Sequence, residues 1–220
     1  MNNDKTIYVM ESVYARNETQ AAKLNKRFAD AGIFCTNILG APGVGKTTTL
    51  LQILQRLASP ACVIEGDVES DIDTQKLKAL GFTAVQINTG GACRLDAHII
   101  SDTFDDIDFS NGYLFIENIG NLVCPANYMI GEHVKLLICA ITDGSDKPYK
   151  YPLAFEKADI ILLNKCDLMD YINFDMQYFM DGVRKLNPNA PVFMVSGETG
   201  EGFDGVVEWL QNKAKPVIAL

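Results

Sequence analysis

Residues 40–47 read Gly-Ala-Pro-Gly-Val-Gly-Lys-Thr and follow the apolar run Ile33-Phe34-Cys35-Thr36-Asn37-Ile38-Leu39. This is the pattern G-x-x-x-x-G-K-[ST] between a buried strand and a helix, the context in which such a loop cradles phosphate. Gly40, Gly43 and Gly45 let the chain turn tightly, so that successive backbone N–H groups around Val44 converge on an anion. The Lys46 ammonium reaches β- and γ-phosphates and the Thr47 hydroxyl suits Mg²⁺. Thr48 continues a helix whose positive end points at the same charge. A Gly-rich turn that matches by accident is the alternative, and the flanking strand and helix argue against it.

A second pattern selects the base. Asn164-Lys165-Cys166-Asp167 follows the apolar run Ile160-Ile161-Leu162-Leu163. The Asp167 carboxylate can accept from both the ring N–H and the exocyclic amine of guanine. Adenine has no such donor pair and would leave the carboxylate desolvated and unmatched. Asn164 is placed to bind the base edge and neighbouring loops, and the Lys165 stem to lie over the ring plane. Ser196-Gly197, just past the next strand-like run, is the natural last base-contacting loop, although Ser-Gly turns are common. The ligand implied is GTP or GDP with Mg²⁺.

Acids at strand ends complete the candidate chemistry. Glu65-Gly66-Asp67 and Glu117-Asn118-Ile119-Gly120 both end apolar runs. Asp67 and Glu117, with Thr47, are the candidate Mg²⁺ ligands, and with Lys46 the candidate catalytic set. The Gly120 N–H is placed to sense a γ-phosphate. Asp67 also reads as a helix N-cap. Glu117 has no comparably bland role, because an acid ending an apolar strand is costly without a partner. No Gln or Arg stands out as a finger, so slow, regulatory hydrolysis is expected. Hydrolysis would relax segments 67–74 and 117–124.

These residues need a scaffold. Apolar runs recur at 33–39, 61–65, 84–87, 113–116, 134–141, 160–163 and 192–195, mostly apolar throughout, as in strands covered on both faces. Helical segments fall at 47–57, 74–80, 95–103, 174–186 and 203–212, after a first helix at about 15–31 that carries Ala21, Ala22, Leu24, Phe28 and Ala29 on one stripe and ends before Gly32. Alternation of this kind predicts an α/β P-loop NTPase fold, a doubly wound, mostly parallel sheet flanked by helices, with ligand at the strands' C-terminal ends. The 220 residues, 48% apolar and 21% charged, suit a single nucleotide-binding domain over 1–220. A net charge of −9 without a basic stripe disfavours nucleic acid. No apolar stretch approaches a membrane span, and no apolar h-region follows the first residues. Six cysteines are too sparse for a disulfide scaffold, and a reducing cytoplasm fits them. Cys35, Cys62 and Cys139 read as small core hydrophobes.

In this order the motifs resemble the hydrogenase nickel incorporation protein HypB family, with the urease accessory protein UreG more distant. The resemblance spans about residues 17–210. It rests on the P-loop, Val63-Ile64-Glu65-Gly66-Asp67, Ala84-Val85-Gln86-Ile87-Asn88-Thr89-Gly90, Leu95-Asp96-Ala97, Glu117-Asn118-Ile119-Gly120-Asn121-Leu122-Val123-Cys124-Pro125, Asp146-Lys147-Pro148 with Lys150-Tyr151-Pro152, and Asn164-Lys165-Cys166-Asp167. It implies a GTP-dependent metallochaperone that forms a homodimer with nucleotide bound. Such a protein works with a small zinc- and nickel-binding partner to place nickel in the large subunit of [NiFe]-hydrogenases.

One departure concerns the metal. The family's site uses a Cys-His pair before Leu-Asp-Ala and a later Cys before Pro, whereas this chain reads Cys93-Arg94 and keeps Cys124. Arginine is cationic at every relevant pH and cannot ligate. Cys93 and Cys124 remain candidate ligands for Ni²⁺ or Zn²⁺, and two copies of the pair supply four sulfurs. His98 is a candidate substitute donor. The opposing reading makes both cysteines buried thiols and Arg94 half of an ion pair. Neither an N-terminal Cys-rich nickel motif nor a His-rich tract occurs in the sequence. Two functional rivals stay open: a switch for another metalloenzyme or a docking partner that binds no metal, and a P-loop kinase.

Overall fold

The computed structural model describes residues 4–67 and 72–218; the middle of the 67–74 segment, like residues 1–3 and 219–220, lies outside them. The described strands are β1 (Ile33–Gly40), β2 (Ala61–Asp67), β3 (Thr83–Asn88), β4 (Gly112–Glu117), β5 (Val134–Ala140), β6 (Ile160–Asn164) and β7 (Val192–Met194). They form one seven-stranded sheet in the order β3-β2-β4-β1-β5-β6-β7, and every neighbouring pair is parallel. Each strand lies within two residues of its predicted run. Successive chain segments depart from β1 toward opposite edges of the sheet, which opens a crevice at its carboxyl end.

The helices that matter here are α1 (Asp4–Asp30), α2 (Lys46–Leu54), α3 (Ile72–Ala79), α4 (Ala97–Asp105), the short α5 (Lys147–Lys150) and α6 (Pro152–Glu156), α7 (Met176–Leu186) and α8 (Phe203–Ala214). Helix α1 starts well before the predicted residue 15. No Gly or Pro interrupts residues 4–30, and each residue added to an existing helix gains a hydrogen bond without a new nucleation cost. The predicted helix at 95–103 begins instead at Ala97, because the Asp96 carboxylate caps it by accepting from the N–H groups of His98 and Ile99, both at 3.0 Å.

Side chains alternate along each strand, and helices cover both faces. Phe34 and Ile38 of β1 pack with Leu50 and Ile53 of α2 and with Val206 and Leu210 of α8. Ile33 and Cys35 pack on the opposite face with Leu24 and Phe28 of α1 and Ile100 and Phe104 of α4. Phe28 meets Phe104 edge-on at 5.0 Å. A third cluster joins Leu137, Cys139 and Leu163 to Phe155 of α6 and Phe179 and Val183 of α7. Cys35, Cys62 and Cys139 are buried as expected, and burial pushes the Cys62 thiol up to about 11.

The core also holds a charge pair. Lys135, 5% exposed, donates to the carbonyls of Ala126 and Tyr128, both at 3.0 Å, and lies 3.6 Å from Glu132 Oε1. Glu132 accepts from Ile130 N–H (2.6 Å) and from Asn37 Nδ2 (3.3 Å). Burial pushes the Lys135 ammonium below its ordinary range, and the Glu132 charge opposes that. The pair anchors the chain between Cys124 and β5. Lys135→Met leaves Glu132 charged and short of its cation. It is expected to cost about 3–5 kcal/mol in urea unfolding, with part of the loss recovered in the double variant Glu132→Gln, Lys135→Met.

Candidate functional site

The loop after β1 wraps a cavity of about 530 Å³ lined by Gly43, Gly45, Lys46, Thr47, Glu65, Asp67, Glu117 and Gly120, among others. Gly43 and Gly45 sit at φ +75° and +89°, where a β-carbon would be strained, and Gly45 precedes the first turn of α2. The Thr47 hydroxyl donates to Glu117 Oε1 at 3.2 Å. Strands β2 and β4 are register partners at Glu65 and Glu117, so both carboxylates reach the same end of the sheet. Glu65 is 3% exposed, accepts from the Thr74 hydroxyl and lines the cavity beside Asp67. Sequence reasoning passed over Glu65 as a site residue. The signal was present, since it ends an apolar strand as Glu117 does.

A second cavity, about 270 Å³, adjoins the first at Gly45 and Thr48 and is lined by Asn164, Lys165, Asp167, Leu168, Gly197 and Glu198. The Ser196 hydroxyl donates to Asp167 Oδ1 at 2.6 Å and fixes the rotation of that carboxylate. Asn164 is 2% exposed and acts as a brace. Its Nδ2 donates to the Val44 carbonyl at 2.8 Å, and its Oδ1 accepts from the Gly197 N–H at 2.9 Å. The amide, expected at the base edge and neighbouring loops, ties the phosphate loop to the last loop. Lys165, in the left-handed region at φ 62°, donates to the Gly43 carbonyl at 2.7 Å, so its stem spans both cavities. The predicted residues Lys46, Thr47, Thr48, Asp67, Glu117, Asn164, Lys165, Asp167, Ser196 and Gly197 thus lie in one continuous site.

The two candidate cysteines are also brought together. Cys93 and Cys124 lie close enough for each thiol to shift the other's acidity. That contact, then the Asn121 side chain and the Arg94 charge, hold Cys124 below the ordinary thiol range. Cys93 is shifted up, first by the neighbouring Cys124 thiol and then by desolvation. Cys93 is exposed and Cys124 half-buried, so neither is the inert interior thiol of the opposing reading. The expected ion pair of Arg94 gives way to a cation–π contact, with its guanidinium carbon 3.7 Å from the Tyr128 ring centroid. His98 lines a groove with Ala15, Thr19 and Lys23 of α1 and, among the described residues, joins no three-member donor group with the two cysteines. Among the described residues no cluster of three or more His, Cys, Asp or Glu is placed to hold a metal. No described helix is long and apolar enough to cross a membrane.

A strand–loop–helix cradle at the centre of a parallel sheet, with acids and a base-sized cavity beside it, defines a P-loop nucleotide-binding protein. The family model for the CobW/HypB/UreG nucleotide-binding domain matches residues 34–194. Hydrogenase maturation factor HypB of Escherichia coli K12 is 40% identical over 216 residues, covering 97% of this chain and 74% of that protein. The hydrogenase/urease maturation factor HypB of Helicobacter pylori J99 is 32% identical over 96% of this chain and 89% of that protein. The crystal structure of Helicobacter pylori HypB in complex with nickel superposes with a TM-score of 0.85 at 33% identity, covering 91% of this chain and 95% of that one. HypB of Archaeoglobus fulgidus gives 0.82 at 31% identity, covering 91% and 99%. The chain belongs to the CobW/HypB/UreG family, in its HypB group.

Two outcomes follow from this geometry. A β-carbon on Gly45 would lie 2.6 Å from Asn164 Nδ2 at a φ that disfavours side chains. Gly45→Ala is expected to weaken nucleotide binding about tenfold or more by calorimetry, since the backbone strain alone is roughly 1–2 kcal/mol. The thiol shifts have opposite signs, so Cys124 becomes thiolate at lower pH than a free cysteine and Cys93 at higher pH. Alkylation followed peptide by peptide should show Cys124 reacting first near neutrality, with the gap closing as pH rises.

Proposed function

We propose that the chain is a GTP-hydrolysing metallochaperone that assists nickel insertion into a metalloenzyme such as a [NiFe]-hydrogenase. One placement carries this reading: Cys124, on the loop that leaves the phosphate cavity at Glu117, lies beside Cys93 of the segment before α4. Relatives named as hydrogenase maturation factors, and one solved with nickel, support the same cargo.

In this reading GTP spans the two cavities. Backbone N–H groups of residues 43–48 and the Lys46 ammonium hold the β- and γ-phosphates. The Asp167 carboxylate, oriented by Ser196, receives the guanine N–H groups, and the Lys165 stem covers the ring. Thr47 Oγ1 approaches Glu117 Oε1, and Asp67 lines the same cavity, an all-oxygen set that fits Mg²⁺. Those three residues would hold the ion, which when bound neutralises charge on the phosphate oxygens. The acidic cavity wall orients the attacking water, and without an Arg finger hydrolysis is slow.

Nickel is cargo. Each chain brings two thiols together, so two copies supply four sulfurs around a shared ion, which supports a nucleotide-dependent homodimer. A small nickel-delivery partner and the client enzyme complete the cycle in a reducing cytoplasm.

Two measurements test the reading. Calorimetry should show GTP preferred over ATP by several orders of magnitude, with Asp167→Ala abolishing most of that preference. Equilibrium dialysis with Ni²⁺ and a non-hydrolysable GTP analogue should show bound nickel that the double variant Cys93→Ala, Cys124→Ala loses. Equal nickel in both proteins would favour a metal-free docking switch, and tight ATP binding without GTP preference would favour a kinase.

A further inference from the structure

The loop after β4 grips the segment Cys93-Arg94-Leu95 at all three residues. Asn121 Nδ2 donates to the Cys93 carbonyl at 3.1 Å. The Tyr128 ring lies under the Arg94 guanidinium at 3.7 Å. Asn118 Oδ1 accepts from the Leu95 N–H at 3.1 Å. The outer two grips differ in what stands behind them. Asn118 is 1% exposed and donates in turn to Asn37 Oδ1 of β1 at 3.2 Å, and Asn37 donates to Glu132. Leu95 is thereby tied to the static interior of the sheet.

Asn121 is only half-buried and stands against the phosphate loop. Its backbone forms an antiparallel bridge with Gly40. Its neighbour Gly120 lies so close to Pro42 that an added β-carbon would be 3.0 Å from the ring carbon Cγ and 3.2 Å from the backbone nitrogen. Three residues earlier, Glu117 accepts from Thr47. The Asn121 side chain reaches both thiol-bearing segments. It donates to the Cys93 carbonyl and accepts from the N–H of Val123, the residue before Cys124, at 2.8 Å. A shift of residues 117–121 against residues 40–47 therefore pulls on Cys93 through one amide, while Leu95 stays fixed.

We propose that Asn121 is a positioning residue that makes the proximity and reactivity of the Cys93–Cys124 pair depend on the phosphate state of the bound nucleotide. This rests on the GTP reading above and adds to it the part that links the two sites. Asn118 serves as the fixed end of the lever and Arg94, seated on Tyr128, as its pivot.

The variant Asn121→Asp isolates the link. It keeps an acceptor for the Val123 N–H and removes the donor to the Cys93 carbonyl. The full chain is loaded with GDP or with a non-hydrolysable GTP analogue, and iodoacetamide labelling of Cys93 and Cys124 is timed by mass spectrometry. The natural chain should show rates that differ about fivefold between the two nucleotides, the size of one neutral hydrogen bond. Asn121→Asp should bind both nucleotides as the natural chain does, yet label at the same rate in both. Circular dichroism confirms its fold, and Asn121→Ala, which also lacks the donor, replaces it if the charge unfolds the loop. The proposal is overturned if the variant keeps the natural nucleotide dependence, or if a natural chain that binds GTP selectively labels identically in both states. A natural chain with no GTP preference instead overturns the parent reading, which separates the two failures.

Discussion

One buried amide holds the site together. The Asn164 side chain, at the end of β6, donates to the phosphate loop at Val44 and accepts from the last loop at Gly197. Those two loops lie about 150 residues apart in the chain, counted from the positions of Val44 and Gly197. Glycine at 45 follows from this, because a β-carbon there would occupy the space of the Asn164 nitrogen. The small residue at 197 follows as well, since it packs against Thr48 of α2 while its carbonyl accepts from Gln52 at 2.9 Å. A neutral hydrogen bond adds only about 1 kcal/mol net, but a buried amide stripped of a partner costs more. The brace therefore acts chiefly by making other loop arrangements unfavourable.

The scaffold was legible in the sequence because its signals are local. The run from Ile33 to Leu39 is apolar on both sides because both sides are covered, and the same holds for β4 through β6. Glycines at left-handed positions and the acids after strands mark the cavity wall as they stand in the chain. Contacts between distant segments were not legible. Asn164 reads as a partner of the base edge and of neighbouring loops, but its motif does not name Val44 or Gly197. Arg94 looked like half of an ion pair because charge predicts a carboxylate, and only the fold puts Tyr128 under it. His98 was near Cys93 in number, yet a capped helix turn directs it along α1. The early start of α1 was missed because the stripe of apolar residues is plainest after residue 15, while backbone propagation needs no stripe.

Polar groups inside the sheet form a chain of their own. Asn118, Asn37, Glu132 and Lys135 run in succession from the loop after β4 to the loop before β5. A hydrocarbon core of equal volume would be no less stable. What the polar chain adds is a defined direction for each loop that leaves it, since each member is satisfied only in one arrangement. The thiol-bearing segment lies at one end of this chain and the carbonyls of Ala126 and Tyr128 at the other.

The strand order has a consequence for synthesis. Strand β1 emerges early and ends at the centre of the sheet, while its brace and the carboxylate beside it arrive only with residues 164–197. An all-parallel sheet has no local hairpins to close first, so its pairings wait for long stretches of chain. On the ribosome, the amide-lined half of the pocket is therefore made long before it can hold a nucleotide firmly. Nucleotide capture becomes a late event in biogenesis, and a chain that retains guanine nucleotide has already brought its last third into place.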